Sequence, residues 1–337
     1  MTEEPTETAT DEPVGLLELV RGFEPDCDAI IGLRRLSGGA SQETWSFDAR
    51  CGARSVPLIL RRAGGGKART RLAAISLSEE AGLIRLAAEA GVPVPRVHAV
   101  LAPDHPSREG FIMSRVDGET IPRKTLRDER FARARPLLAR QCGEILARMH
   151  AIDVTSLPAL RRGTAADELA IYLEQHRGYR QPRPVLELAF RWLKDHMPPD
   201  GGALTLVHGD FRHGNLMIDE NGVAAVLDWE LAYVGDPMAD LGWLCVNSWR
   251  YGHTLPVGGF GTREQLFEGY EAAGGRRVDP QRVRFWETLG TLRWSVMCEG
   301  MMQAFRDGFD RSVERLAIGR RSSETEIDLL RLLSGRD

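Results

Sequence analysis

The main change of hydrophobic rhythm along the chain falls near Asp117-Gly118, and that change limits the folds open to it more than any other feature. Before this turn signal the apolar residues come in short runs separated by glycine: IGLRRL, ETWSFDA and VPLILRR between Ile31 and Arg62, then PRVHAVLA and GFIMSRV. Runs of this length bounded by turn residues predict strands, and the first three fit consecutive antiparallel ones. One segment in this half follows a different period. Ser76 and Glu79 match a capping box, and Leu83, Ile84, Leu86, Ala87 and Ala90 recur at helical spacing until Gly91 and Pro93, which predicts an amphipathic helix. Past the turn, Leu137, Leu138, Cys142, Ile145, Leu146 and Met149 mark a long helix, and helical patterning returns over residues 165–196 and again towards the C-terminus. The expectation is an α+β chain of two lobes: about five antiparallel strands and one helix over residues 14–115, then a mainly helical lobe over 116–337. Residues 1–13 read as a disordered acidic tail, because their polar composition buries too little apolar surface to offset the entropy of ordering.

Composition narrows the function. Lys plus Arg number 44 against 48 Asp plus Glu, a balance that predicts neither a nucleic-acid nor a membrane-surface partner, and no obligate protein partner is evident. Cys27, Cys51, Cys142, Cys245 and Cys298 are odd in number and lack a C-x-x-C pair, so they read as reduced thiols, not as a zinc or redox site. The start, MTEEPTETATDEP, has neither the basic end nor the apolar stretch of a secretory signal, and no segment approaches the ~20 apolar residues of a membrane span. A cytoplasmic location is expected.

The chemistry concentrates where two short apolar segments, LTLVHGD and GVAAVLDWE, bracket the loop FRHGNLMIDEN. Asp210 is followed by Asn215 five positions on and by Asp228 thirteen further. Phosphoryl transfer needs these three groups: a carboxylate to orient the attacking hydroxyl and accept its proton, and an amide oxygen and a second carboxylate to hold Mg²⁺ against the phosphates. Asp210 is the candidate base, and Asn215 and Asp228 are the candidate metal ligands. A loop merely shaped by Asp and Asn would not call for a third carboxylate placed after an apolar strand.

H-G-D-x-x-x-x-N at 208–215, followed by an apolar strand and Asp228-Trp229-Glu230, resembles the aminoglycoside phosphotransferase family, itself similar to the protein kinases, over roughly residues 30–320. The runs GVPVPRV and LDWELAYVGDPMADL look closest to the branch resembling kinase-like domains fused to some acyl-CoA dehydrogenases. The resemblance implies a protein-kinase-like two-lobe fold, ATP with GTP left open, Mg²⁺, and transfer to a small-molecule hydroxyl. His208-Gly209-Asp210 replaces H-R-D, Asp228-Trp229-Glu230 replaces D-F-G, and no A-P-E segment follows, which favours a small acceptor over a protein. A nucleotide-binding pseudokinase of the same fold is the alternative.

Several further positions follow from the resemblance. Arg61, ending LILR, stands where kinases carry their phosphate-binding lysine, with Arg62 as rival. Glu80 corresponds to the helix glutamate that pairs with that cation; Glu79 is the substitute, and either also reads as a carboxylate at a helix N-terminus. Ser37, Gly38, Gly39 and Ser41 occupy the place of the glycine-rich loop over the phosphates, although a simple hairpin turn fits them too. Met113 and Arg115 fall at the hinge, where backbone groups meet the nucleotide base. Arg212 takes the place of the catalytic-loop lysine and would neutralise charge on the transferring group, a surface arginine being the other reading. His150, His208 and Asp240 read as scaffold. Glu264, Glu268, Glu271, Glu287 and Glu299 are interspersed with Arg250, Arg284, Arg293 and Arg306, so no acidic cage is declared for an aminoglycoside. A hydroxyacyl-CoA or a macrolide suits this lobe at least as well.

Overall fold

The structure, a computed structural model, describes residues 13–36, 42–64, 75–179, 181–199, 202, 204–309 and 312–335. The described residues fall into two compact units. One takes those up to 64 with 76–85 and 95–115; the other takes 75, 86–94 and those from 116 onward.

The first unit is built on an antiparallel sheet of β1 (Cys27–Leu36), β2 (Gln42–Cys51), β3 (Arg54–Ala63), β4 (Val97–Leu101) and β5 (Gly110–Ser114), in the order β1-β2-β3-β5-β4. Trp45, Phe47, Leu58, Leu60 and Ile112 fill its core, joined by Leu16 and Val20 from α1 (Leu16–Arg21). That helix was not expected, since six residues are too few to display a period. α2 (Leu77–Glu89) starts at the expected capping box: the Glu79 N–H donates to Ser76 Oγ at 3.1 Å, and the Ser76 N–H donates to Glu79 Oε2 at 2.8 Å.

The second unit is mainly helical. Its helices are α3 (Pro122–Arg127), α4 (Arg135–His150), α5 (Ala165–Gly178), α6 (Pro184–Asp195), α7 (Met238–Cys245), α8 (Arg263–Ala272), α9 (Pro280–Arg306), α10 (Val313–Gly319) and α11 (Ser322–Ser334). Between α6 and α7 lie β6 (Thr205–Val207), β7 (Leu216–Ile218), β8 (Val223–Val226) and β9 (Tyr233–Gly235), paired antiparallel as β6 with β9 and β7 with β8. The expected strand segments are β6 and β8; β7, inside the expected loop, and β9 are further short strands that give β8 and β6 their partners. The 27-residue α9 runs through this unit and packs on α7, α10 and α11. Trp243, Trp249 and Trp294 form a buried aromatic cluster, with ring centroids 5.1 and 4.9 Å apart along the chain of contacts.

The chain thus has the protein-kinase-like α+β fold, with a sheet-based N-terminal part and a helical C-terminal part. All five cysteines are buried free thiols. No helix among the described residues is long and apolar enough to cross a membrane.

Candidate active site

β6 delivers the chain into the loop His208–Arg212, and the loop's path is set from behind. Gly209 has φ 77°, and a Cβ there would stand 2.3 Å from the Leu231 carbonyl oxygen, so a side chain is excluded on both counts. Asp240, in the first turn of α7 and fully buried, accepts the backbone N–H groups of His208 at 2.8 Å and Gly209 at 3.0 Å. His150 Nε2 adds a third contact at 3.2 Å, and its Nδ1 pairs with the Tyr270 hydroxyl at 3.0 Å. His208 accepts the Asp210 N–H on Nδ1 and donates from Nε2 to the Leu227 carbonyl at 3.1 Å. Burial pushes its imidazole below the usual histidine range, although Asp240, Asp210 and Asp228 pull the other way. A neutral ring with this tautomer ties the loop to the residue preceding Asp228.

On that support Asp210 and Asn215 share one network. Asp210 Oδ2 accepts Asn215 Nδ2 at 2.7 Å, and its Oδ1 accepts the Trp243 indole N–H at 2.9 Å. Arg212 Nε lies 3.1 and 3.2 Å from the two oxygens. Asn215 Nδ2 also donates to the Asp210 carbonyl at 3.0 Å, so the amide nitrogen is committed and the amide oxygen is the atom left for a metal. Asp228 follows β8 in the left-handed region, φ 66°, a conformation rare outside glycine and concentrated at functional sites. The Arg212 guanidinium lies 4.9 Å from the Trp249 ring centroid. Burial works against its charge, but Asp210, Tyr251 and Asp228 outweigh that and hold its pKa above the ordinary arginine value. Gly214 leaves room for it, since a Cβ there would stand 2.4 Å from Arg212 Nη1. His213, buried between Thr125 Oγ1 and the Gly258 carbonyl at 2.7 Å each, anchors the far side of the loop; burial lowers its pKa to about 4.

In the sheet unit, strand alternation sends the adjacent arginines of β3 to opposite faces. Arg61 Nε is 3.4 Å from Glu80 Oε2 and 2.6 Å from Gln42 Oε1. Arg62 is buried against Glu43, 2.8 Å away, with Trp45 beside it. Burial pushes the Glu43 carboxyl up, but Arg62, Trp45 and Arg108 more than offset this and hold it below the usual range. The structure therefore gives Glu80 to Arg61 and leaves Glu79 as the cap of α2. Met113 pairs within β5 against Ile59 and Val97. The Arg115 N–H is used by the Pro57 carbonyl, and its guanidinium folds back to Asp48 at 2.9 Å and Ser46 at 3.2 Å. The candidate phosphate loop, Ser37, Gly38, Gly39 and Ser41, lies outside the described residues.

Trp243 and Gln42 were not foreseen as parts of these networks. Trp243 was legible in principle: it sits three residues after Asp240, hence on the same face of α7. A cleft beside the loop, about 340 Å³ of free space with its open mouth included, is lined by Gly209, Trp243, Glu168, Tyr172 and Arg293 among others. Glu168 is ion-paired with Arg161, and the Arg293 guanidinium lies 4.4 Å from the Trp243 ring centroid.

A five-stranded sheet with an Arg–Glu pair on its helix, and a strand-loop-strand segment presenting Asp, Asn and Asp within a helical unit, define the class: a kinase-like phosphotransferase fold. A crystal structure from Ralstonia eutropha, described as a candidate aminoglycoside phosphotransferase, superposes with a TM-score of 0.73 at 21% identity, covering 92% of this chain and 94% of that one. Spectinomycin phosphotransferase in complex with ADP and spectinomycin superposes with a TM-score of 0.62 at 12% identity, covering 94% and 97%. At these identities the likeness concerns the fold. Acyl-CoA dehydrogenase family member 10 of Mus musculus is 29% identical over 201 residues, 56% of this chain and 18% of the mouse protein; the match spans under a fifth of that relative. The chain belongs to the phosphotransferase enzyme family, whose family model matches residues 32–286.

Proposed function

We propose that this protein transfers the γ-phosphoryl group of ATP, with Mg²⁺, to a hydroxyl of a small molecule. The observation that carries the reading is the shared hydrogen-bond network of Asp210 and Asn215, which orients a carboxylate and an amide oxygen, with Asp228 held at positive φ thirteen residues on. The donor set fits Mg²⁺. It offers hard oxygens, and it offers few of them, as expected of an ion that keeps water and phosphate in its shell. Bound to Asn215 and Asp228, the ion would neutralise charge on the phosphate oxygens.

Asp210 orients the acceptor hydroxyl and takes its proton as the oxygen attacks the γ-phosphorus and the bond to the β-bridging oxygen breaks, releasing ADP. Arg212 neutralises charge on the transferring group. Arg61, braced by Glu80, is the cation for the nucleotide phosphates; as an arginine it offers a fork where a lysine would offer a point charge. Arg115 receives no role, because its donors are engaged within the sheet.

The acceptor is proposed to be a neutral or anionic hydroxyl compound, not a polyamine. Several of the five acidic residues read as candidates for a cage are engaged internally, Glu271 by the Val278 N–H. Glu287 binds Arg250 and Arg263, and Glu299 binds His176 and Arg183. The acyl-CoA dehydrogenase name of the mouse relative makes a hydroxyacyl-CoA ester the first compound to try. ADP release from Mg·ATP, followed with hydroxyacyl-CoA esters, macrolides, aminoglycosides and amino alcohols, tests the reading. Acceptor-stimulated turnover that falls by about 10² or more in Asp210→Ala supports it; stimulation that survives the substitution removes Asp210 as the base.

A further inference from the structure

Three donors hold the Asp210 carboxylate: Trp243 Nε1 on Oδ1, Asn215 Nδ2 on Oδ2, and Arg212 Nε between them. An acceptor hydroxyl needs room at this carboxylate, so one donor has to withdraw, and the three are not equally able to do so. Arg212 is half-buried, whereas Asn215 and Trp243 are buried. Arg212 is also the group that a transferring phosphoryl would attract, and Asn215 is the one a metal would claim. Trp243 has no second task. Its indole is fixed between the Trp249 ring, 5.1 Å away, and the Arg293 guanidinium, 4.4 Å away. One helical turn earlier on α7, Asp240 holds the backbone of the same loop.

We infer that Trp243 is a positioning residue: its indole N–H keeps the Asp210 carboxylate in one orientation while Arg212 leaves it for the transferring phosphoryl group. α7 thereby sets both the loop backbone, through Asp240, and the direction in which the base points, through Trp243. A carboxylate stripped of both Arg212 and Trp243 would keep only the Asn215 Nδ2 bond on Oδ2 and would turn more freely about its Cβ–Cγ bond, and small losses of alignment at a reacting centre are costly to rate. The inference rests on Asp210 being the base.

The test has two readouts. In ¹H–¹⁵N spectra of indole-labelled protein, the Trp243 N–H peak is identified by its loss in Trp243→Phe. It is expected at low field in the wild type, to move upfield in Asp210→Asn, and to stay at low field when Mg·AMP-PNP is added. Movement to the Asp210→Asn position on adding Mg·AMP-PNP would show that the bond breaks when it is needed, and would overturn the inference. In turnover, Trp243→Phe should lower kcat about 10–100-fold with KM for ATP and acceptor within about threefold. Replacing Trp243 by benzothienylalanine, which exchanges the N–H for sulfur and keeps the ring shape, should do the same. A normal kcat in the benzothienylalanine protein assigns Trp243 to packing alone and sinks the proposal. Should Asp210→Ala turn over like the wild type, Asp210 is not the base and the premise of the inference fails, an outcome separate from either result at Trp243.

Discussion

Arg61 on β3 and Asp210 after β6 are both charged groups assigned to the same reaction, yet their surroundings differ. Arg61 keeps 15% of its side chain exposed, with Gln42 and Glu80 among its partners. Asp210 stands on a loop whose backbone is tied by a fully buried aspartate, whose histidine is locked in one tautomer, and whose carboxylate already holds three donors. A cation that meets flexible phosphates tolerates adjustment. A base that must face one hydroxyl does not, and buried, fully bonded polar networks supply that rigidity because leaving any member unpaired is expensive.

The contrast is broken most severely at Asp240. Asp240→Ala leaves the buried N–H groups of His208 and Gly209 without acceptors, and the expected cost is roughly 3 kcal/mol or more of stability with turnover down at least about 10²-fold. Urea unfolding and ADP release measure the two effects. In the other unit the comparable weak point lies on the buried face of β3: Glu43→Gln strands the Arg62 charge and should cost about 3 kcal/mol while leaving Asp210 chemistry unaltered in protein that remains folded. Because the folded Glu43 carboxyl sits below its ordinary value of about 4.5, its stabilisation is fully present above that value and is lost as pH falls through the depressed one. The wild type should therefore lose more melting temperature between pH 7 and 3 than Glu43→Gln does.

Gentler changes sharpen the comparison. Gly214→Ala pushes on the end of Arg212, a flexible side chain that can shift, so turnover should drop several-fold with stability changed by no more than about 1 kcal/mol. Arg61→Lys is expected to have the smallest effect: ATP affinity weakened about three- to tenfold, and unfolding within about 0.5 kcal/mol of the wild type, read by calorimetric titration and urea melts.

Much of this was readable in the sequence, and the limits have physical causes. The strands of the sheet unit follow from short apolar runs between turns, and Ser76 with Glu79 announces α2, because both signals are local. Asp210, Asn215 and Asp228 could be singled out as candidates because the proposed chemistry fixes residue types at fixed spacing. The choice between Arg61 and Arg62 was not, since period 2 says only that they face opposite ways and the register of distant strands decides which face carries Glu80. For the same reason nothing near Arg115 in sequence shows that Asp48 captures its guanidinium. β9 is three residues long and exists because β6 pairs with it across 25 residues of chain, a contact that no local pattern encodes.

The central claim is that the loop from Asp210 to Asp228 forms a Mg·nucleotide site, and it is tested without knowing the acceptor. ATP affinity should be measured by calorimetry with and without Mg²⁺ in the wild type, Asn215→Ala and Asp228→Ala. The account predicts that Mg²⁺ tightens ATP binding about tenfold or more in the wild type and by less than about twofold in either variant. An undiminished Mg²⁺ effect in Asp228→Ala, in protein that melts like the wild type, would contradict it.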